Sequence, residues 1–358
     1  MKMLTRLVLS VAAVSLLDGA LLIAQTKATA ENVPTIPHSS VPNFFKLPPD
    51  LYFGEGIGIA TNSKGHVFVY HRSGDTRLFE FDPNGAFVKE WGVGVYGIEF
   101  AHQVRVDPQD NVWVVDEGTN MVIKFNPAGR VVMVLGRRPE AVAGATQTQN
   151  ADNPPVLNKK YQFGRPTDVA WDPQGNIFIS DGYVNSRAVK YDKNGRFIAQ
   201  YAGERGEGAN QLNTPHSIAV DAQGNVYVGD RGNRRIVVLN NDMSFKTQYT
   251  NVGNPWAVCI SPGPHQYLYA SNSNPDSNTP ASSWDITGEI YKMELDGKII
   301  GKFGKAGKGL GEFSTVHEID CRNPDQLFVS EISAWRAQKI ILSPSKMQPA
   351  TSGSAAAR

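Results

Sequence analysis

The sequence predicts an all-β chain folded as a six-bladed β-propeller, and three observations lead there. One motif recurs without gaps as Asp107-Pro-Gln-Asp-Asn-Val-Trp-Val-Val-Asp116, Asp172-Pro-Gln-Gly-Asn-Ile-Phe-Ile-Ser-Asp181 and Asp221-Ala-Gln-Gly-Asn-Val-Tyr-Val-Gly-Asp230. Three weaker copies complete the set, at 62–71 before the strong ones and at 261–270 and 322–331 after them. Around each motif the pattern calls for further strands, and four antiparallel strands make one propeller blade.

The elements of one repeat follow from its residue types. The Asp-x-x-Gly-Asn segment is a turn, because Gly supplies positive φ and Asp and Asn bond nearby backbone. A strand precedes it (104–106, 169–171, 218–220), and a β-branched and aromatic strand leaves it. A third strand follows (121–125, 188–191, 236–239), and a second turn leads to a fourth, clearest at 196–201. Two polar segments interrupt the spacing, Pro139 to Lys160 and Ser271 to Gly288, and both read as loops over one face of the disc. Residues 31–346 are therefore expected to form a single domain. Residues 347–358 are expected to be a disordered tail. A β-sandwich is the rival, which the regular copying of one motif disfavours. Lys339 to Ser343 is a further strand of the last blade.

Ahead of the repeats, Lys2 and Arg6 precede an apolar run from Leu7 to Leu17, and Ala28-Thr29-Ala30 follows. This reads as an export signal cleaved near Ala30, giving a periplasmic or extracellular protein. An uncleaved anchor extended to Ala24 is the alternative. No other apolar run is long enough to cross a bilayer, so no stable span is expected after processing. The net charge of +1 leaves no global electrostatic case for nucleic acid. Nothing in the sequence signals an oligomer. The two cysteines, Cys259 and Cys321, occupy similar places in neighbouring repeats, and a disulfide and two structural thiols both remain open.

Five residues before each aligned turn, repeats two, four and six carry His102, His216 and His317, and the odd repeats carry Ile57, Thr167 and Trp256. The first strand of each blade lines the channel, and alternate blades of six are roughly 120° apart. Three imidazoles therefore converge at one height. One such histidine alone would read as a satisfied core residue; three together read as a metal site, with an open fourth position suited to catalytic zinc. His66 and His265 fall in turns, and His38 lies near the mature N-terminus. Where the strong copies end their second strand in Asp, repeat one has His71 and then Arg72. His71 reads equally as structural or substrate-facing. Repeat three continues Asp181-Gly182-Tyr183. Both strand ends can overhang the channel mouth, or can be packed surface loops.

From about Phe53 to Leu342 the chain resembles the peptidyl-α-hydroxyglycine α-amidating lyases, a family of NHL-repeat propellers. The resemblance rests on Gly164-Arg-Pro-Thr-Asp-Val-Ala, on Ile179-Ser-Asp-Gly-Tyr-Val-Asn-Ser-Arg187 and on Thr214-Pro-His-Ser-Ile-Ala219. It implies zinc on His102, His216 and His317, a catalytic Tyr183 and a catalytic Arg72. It also implies a structural calcium held by the Ile59 and Val104 carbonyls and the Glu318 carboxylate, with Glu standing where vertebrate members have Asp. The residue after the tyrosine is Val184 where the family commonly has Cys, so the disulfide bracing that loop is absent.

The implied reaction cleaves the carbinolamide N–C bond of a small or peptidyl α-hydroxyglycine substrate, giving an amide and glyoxylate. Zinc suits the hydroxyl oxygen as a Lewis acid. Tyr183 is the base, which needs its pKa brought down from about 10 by Arg72 and the metals. Arg72 suits the substrate carboxylate equally well. The rivals are a zinc-dependent propeller hydrolase and a non-catalytic binding scaffold.

Overall fold

Aspartate-led turns set the repeat. In the computed structural model, Asp107 Oδ1 accepts the backbone N–H groups of Gln109 and Asn111, Asp172 those of Gln174 and Asn176, and Asp221 those of Gln223 and Asn225. Gly175 and Gly224 have the positive φ this turn requires, and Asp110 adopts it in the first strong copy. The structure describes residues 33–138, 160–273 and 288–343. The segment expected to be an export signal, most of the two segments expected to be loops, and the expected tail lie outside the described residues.

Each turn joins the first two strands of a four-stranded antiparallel sheet. A short strand, β1 (His38–Ser40), comes first in the chain. Blade one is β2 (Glu55–Thr61), β3 (Val67–Arg72), β4 (Thr76–Phe81) and β5 (Phe87–Trp91). Blade two is β6 (Ala101–Val106), β7 (Val112–Asp116), β8 (Met121–Phe125) and β9 (Val131–Gly136). Blade three is β10 (Asp168–Trp171), β11 (Ile177–Asp181), β12 (Arg187–Tyr191) and β13 (Phe197–Ala202). Blade four is β14 (Pro215–Val220), β15 (Val226–Asp230), β16 (Arg235–Leu239) and β17 (Phe245–Tyr249). Blade five is β18 (Pro255–Ile260), β19 (Leu268–Asn272), β20 (Glu289–Met293) and β21 (Ile299–Phe303). Blade six is β22 (Val316–Asn323), β23 (Gln326–Glu331) and β24 (Arg336–Leu342), with β1 as its outer strand.

The ring is thus closed by the N-terminal segment. β1 pairs antiparallel with β24, His38 opposite Leu342 and Ser40 opposite Ile340. Just before it, Ile36 is buried; its N–H donates to the Lys302 carbonyl of β21, and Lys302 N–H donates to the Pro34 carbonyl. One short stretch therefore ties blade five to blade six. The segment expected at 339–343 is β24, the third strand of its blade and not the last, because β1 takes the outer edge.

No blade has a core of its own. The buried apolar side chains form six clusters, each shared by two neighbouring blades. Removing a blade would expose two of them, which is why the repeats behave as one domain. Inner strands β18 and β22 are also joined covalently, since Cys259 and Cys321 form a disulfide across 62 positions of chain. Similar but not identical places on adjacent inner strands bring these two thiols together, which the sequence had left open.

Replacing both cysteines, as Cys259→Ala with Cys321→Ala, is expected to cost roughly 2–4 kcal/mol, the usual worth of a disulfide. The check is the urea midpoint against the wild type. An unchanged midpoint would show that interblade packing alone holds blades five and six.

Candidate functional site

The inner strands carry the site through a repeated defect. Pairing of β6 with β7 shifts between Ala101 and Gln103, of β14 with β15 between Pro215 and Ser217, and of β22 with β23 between Val316 and Glu318. His102, His216 and His317 are the extra residues of these bulges. A bulge frees a residue from ladder pairing and re-aims its side chain, here toward the other two histidines. The ring centroids are 4.7 Å apart in every pair. Among the described residues these three form the group able to share a metal ion, with ligand atoms within 4.8 Å of one another, and all three are buried.

The next blade orients each ring. Nδ1–H of His102 donates to the Thr167 carbonyl at 2.6 Å, that of His216 to Trp256 at 2.7 Å, and that of His317 to Ile57 at 2.8 Å. Thr167, Trp256 and Ile57 are the residues that hold the matched position in the odd blades. A carbonyl only accepts, so the proton is on Nδ1 and the lone pair is on Nε2. Burial, followed by neighbouring rings and guanidinium groups, holds all three pKa values well below the usual histidine value. Neutral rings with inward lone pairs are what a metal needs. His216 Nε2 is buried without a hydrogen-bond partner.

Tyr183 stands beside this cluster, its hydroxyl 3.2 Å from His102 Nε2. Gly182 lets the loop reach there, since a Cβ on it would lie 2.1 Å from the Pro215 carbonyl oxygen. Tyr183 N–H donates to Arg165 O and Val184 N–H to Gly164 O, and Arg205 donates to Tyr183 O. These bonds brace the loop that lacks a cysteine at 184. The guanidinium groups of Arg165 and Arg231 lie over the phenol ring, at 4.7 and 5.4 Å from its centroid. Burial nevertheless raises the Tyr183 pKa, against the lowering pull of Arg231, Arg72 and Arg165. Arg72 is among the groups that favour the phenolate, but burial outweighs them.

Arg72 is held by Glu55 at 2.8 Å and by the Ala101 carbonyl at 2.8 Å, and it stacks on Phe100 at 3.8 Å. Between Arg72 and Arg165 sits a buried acid, Glu117, whose Oε1 lies 3.6 and 2.7 Å from the two guanidinium groups. Its Oε2 has no hydrogen-bond partner and is 3.6 Å from His102 Nε2. Burial raises its pKa above the usual carboxylate value.

Reading residues alone missed Glu117, Arg165, Arg231 and Trp256. A signal for two of them existed. Arg72, Glu117 and Arg231 each directly follow the tenth residue of the repeat motif, His71, Asp116 and Asp230, so one repeat position supplies all three. That strand-ending position also explains His71. In the other blades Asp116, Asp181, Asp230, Asn272 and Glu331 accept backbone N–H groups of the incoming loop. In blade one, His71 Nδ1 accepts from Gly54 N–H at 3.2 Å, with the ring packed on Phe79. His71 is thus structural. His38 bonds the Gly311 carbonyl, His66 pairs with Glu80 and His265 with Glu294, all away from the channel cluster. Ile59, Val104 and Glu318 lie on β2, β6 and β22, the inner strands of adjoining blades, and Glu318 is already engaged by Arg105 and Gln103.

The NHL repeat family matches residues 212–239. A Caenorhabditis elegans protein described as a probable peptidyl-alpha-hydroxyglycine alpha-amidating lyase is 25% identical, over 82% of this chain and 84% of its own length. The mouse peptidyl-glycine alpha-amidating monooxygenase is 26% identical over 84% of this chain, which spans 32% of that protein. Mouse NHL repeat-containing protein 3 is 30% identical over 82% of this chain and 81% of its own length. Of solved structures, a gluconolactonase from Xanthomonas campestris superposes with a TM-score of 0.57 at 14% identity, covering 89% of this chain and 97% of its own. That likeness concerns the fold alone.

Two outcomes follow from this geometry. After incubation with zinc, His216→Ala should take up less metal than the parent while keeping its β-sheet circular dichroism, read by metal analysis after gel filtration. His71 takes a proton near 6.5 when unfolded but only near 4 in the fold, where burial opposes the charge. The unfolded state therefore binds more protons in that window, and stability falls as pH falls through it. Replacement by Asn, the residue that fills this role in blade five, should remove up to about 1.4 kcal/mol per pH unit of that slope. Urea midpoints of the two proteins across the window measure it.

Proposed function

The chain belongs to the NHL-repeat propeller family that includes the peptidyl-α-hydroxyglycine α-amidating lyases, and on that premise we propose that it is a zinc-dependent lyase. Its reaction is cleavage of a peptidyl-α-hydroxyglycine, or a similar carbinolamide, to an amide and glyoxylate. The observation that carries this reading is the triad of histidines tied by Nδ1 to backbone carbonyls, with a phenol hydroxyl 3.2 Å from one inward nitrogen.

His102, His216 and His317 would hold the zinc through Nε2. The ion would polarise the substrate hydroxyl oxygen as a Lewis acid and add charge favouring the Tyr183 phenolate. Tyr183 takes the hydroxyl proton as the C–N bond breaks. The electron pair of that bond goes to the amide nitrogen, and the proton returns there, which balances carbinolamide against amide plus glyoxylate. Arg72 and Arg231 flank the cluster and suit the substrate carboxylate, since guanidinium groups pair with carboxylates in a planar fork. The channel mouth thus selects for an anion.

We also read the protein as exported. The Cys259–Cys321 disulfide fits an oxidising compartment. No helix among the described residues is long and apolar enough to cross a membrane. The relative at 30% identity bears a name without an activity, which keeps a scaffold as the second reading. A scaffold should purify without stoichiometric zinc.

The deciding experiment is glyoxylate release from α-hydroxyhippurate by metal-depleted and zinc-reconstituted protein. Release that requires zinc supports the lyase; a zinc-loaded, folded protein that releases none sinks it. Tyr183→Phe should keep its zinc yet lose roughly 10²–10⁴ in kcat, the usual worth of a positioned acid–base group. Full activity in that variant would remove Tyr183 from the mechanism.

A further inference from the structure

On the inner strands next to the histidines lies a second charged cluster, which the chemistry above does not use. Arg105, on β6, reaches across the channel. Its Nε and Nη2 donate to the two oxygens of Asp168 on β10, at 2.9 and 2.6 Å. Its Nη1 lies 2.8 Å from Glu318 Oε1 on β22, and Nη2 also reaches the Val258 carbonyl on β18 at 3.3 Å. One guanidinium thus bridges the inner strands of four blades. Asp168 and Glu318 are fully buried.

Glu318 is the carboxylate that the family resemblance assigns to calcium, together with the Ile59 and Val104 carbonyls. Its surroundings do not fit that ion. Oε1 faces Arg105, and Oε2 accepts a hydrogen bond from the Gln103 side-chain amide. The Gln103 amide is fixed in that sense, because its Oε1 accepts the Val104 backbone N–H at 2.9 Å. Oε2 thus points at a hydrogen-bond donor, and Oε1, which has no hydrogen-bond partner, lies against the guanidinium charge at ion-pair distance, where a calcium site needs converging oxygens and no competing cation. Buried carboxylates need a cation, and a guanidinium with five fixed donors supplies one without an ion.

We propose that Arg105 is the resident cation of this channel, taking the place of the calcium implied by resemblance, so that the protein is built without a calcium requirement. The proposal concerns the Arg105 cluster alone and stands or falls apart from the lyase reading.

The test uses zinc-loaded, signal-free protein equilibrated with millimolar calcium chloride, passed through calcium-free gel filtration and assayed by elemental analysis, with thermal unfolding in either buffer. The wild type is expected to retain zinc, to carry no calcium and to melt at one temperature in both buffers. Stoichiometric retained calcium, or a melting temperature raised by calcium, overturns the proposal without any variant. Arg105→Ser leaves Asp168 and Glu318 without their cation. It is expected to melt lower and to gain roughly 5 °C or more from calcium, as for a ligand well above its Kd. A folded Arg105→Ser protein that takes up no calcium would show that Arg105 is not what excludes the ion.

Discussion

The structure depends on one hydrogen bond made three times: the Nδ1–H of a channel histidine to the carbonyl of the next blade. It sets the tautomer, aims the lone pair and links three pairs of adjacent blades at one height. The bond exists only because the odd blades present a backbone carbonyl where the even blades present a ring. Closure of the ring by β1 and the Cys259–Cys321 link therefore bear on the site as well as on stability, since a shifted blade would turn a ring away from its partners.

Around that triad the charges are unequal. Arg72, Arg165 and Arg231 approach Tyr183 or its neighbours, and Glu117 is the buried acid among them. Glu117 holds two of the guanidinium groups in place and keeps one oxygen free of partners toward His102. A site with excess positive charge beside a neutral histidine cluster suits an anionic substrate. It also moves the Tyr183 phenol in the direction a base requires, while burial pulls the other way.

Arg105 solves a related problem elsewhere in the channel. Carboxylates on inner strands of different blades need a shared counter-charge, and a long planar cation reaches both from one backbone position. The same repeat geometry that gathers three histidines gathers Asp168 and Glu318, so the inner strands carry two clusters of opposite chemistry.

The sequence by itself determined the blade count, the turns and the convergence of His102, His216 and His317, because these are periodic: a motif copied along the chain lands at equivalent places around an axis. Arg72 and Tyr183 were legible as breaks in that copying. What the period does not encode is contact across blades. The pairing of Cys259 with Cys321, the outer strand supplied by β1, and the capture of Glu318 by Arg105 and Gln103 all join residues far apart in sequence. His71 was ambiguous for the same reason, since only Gly54 across the sheet reveals its ring as one more backbone acceptor. Repetition places a side chain on the ring; which neighbour it meets depends on reach and direction, and those are properties of the closed propeller.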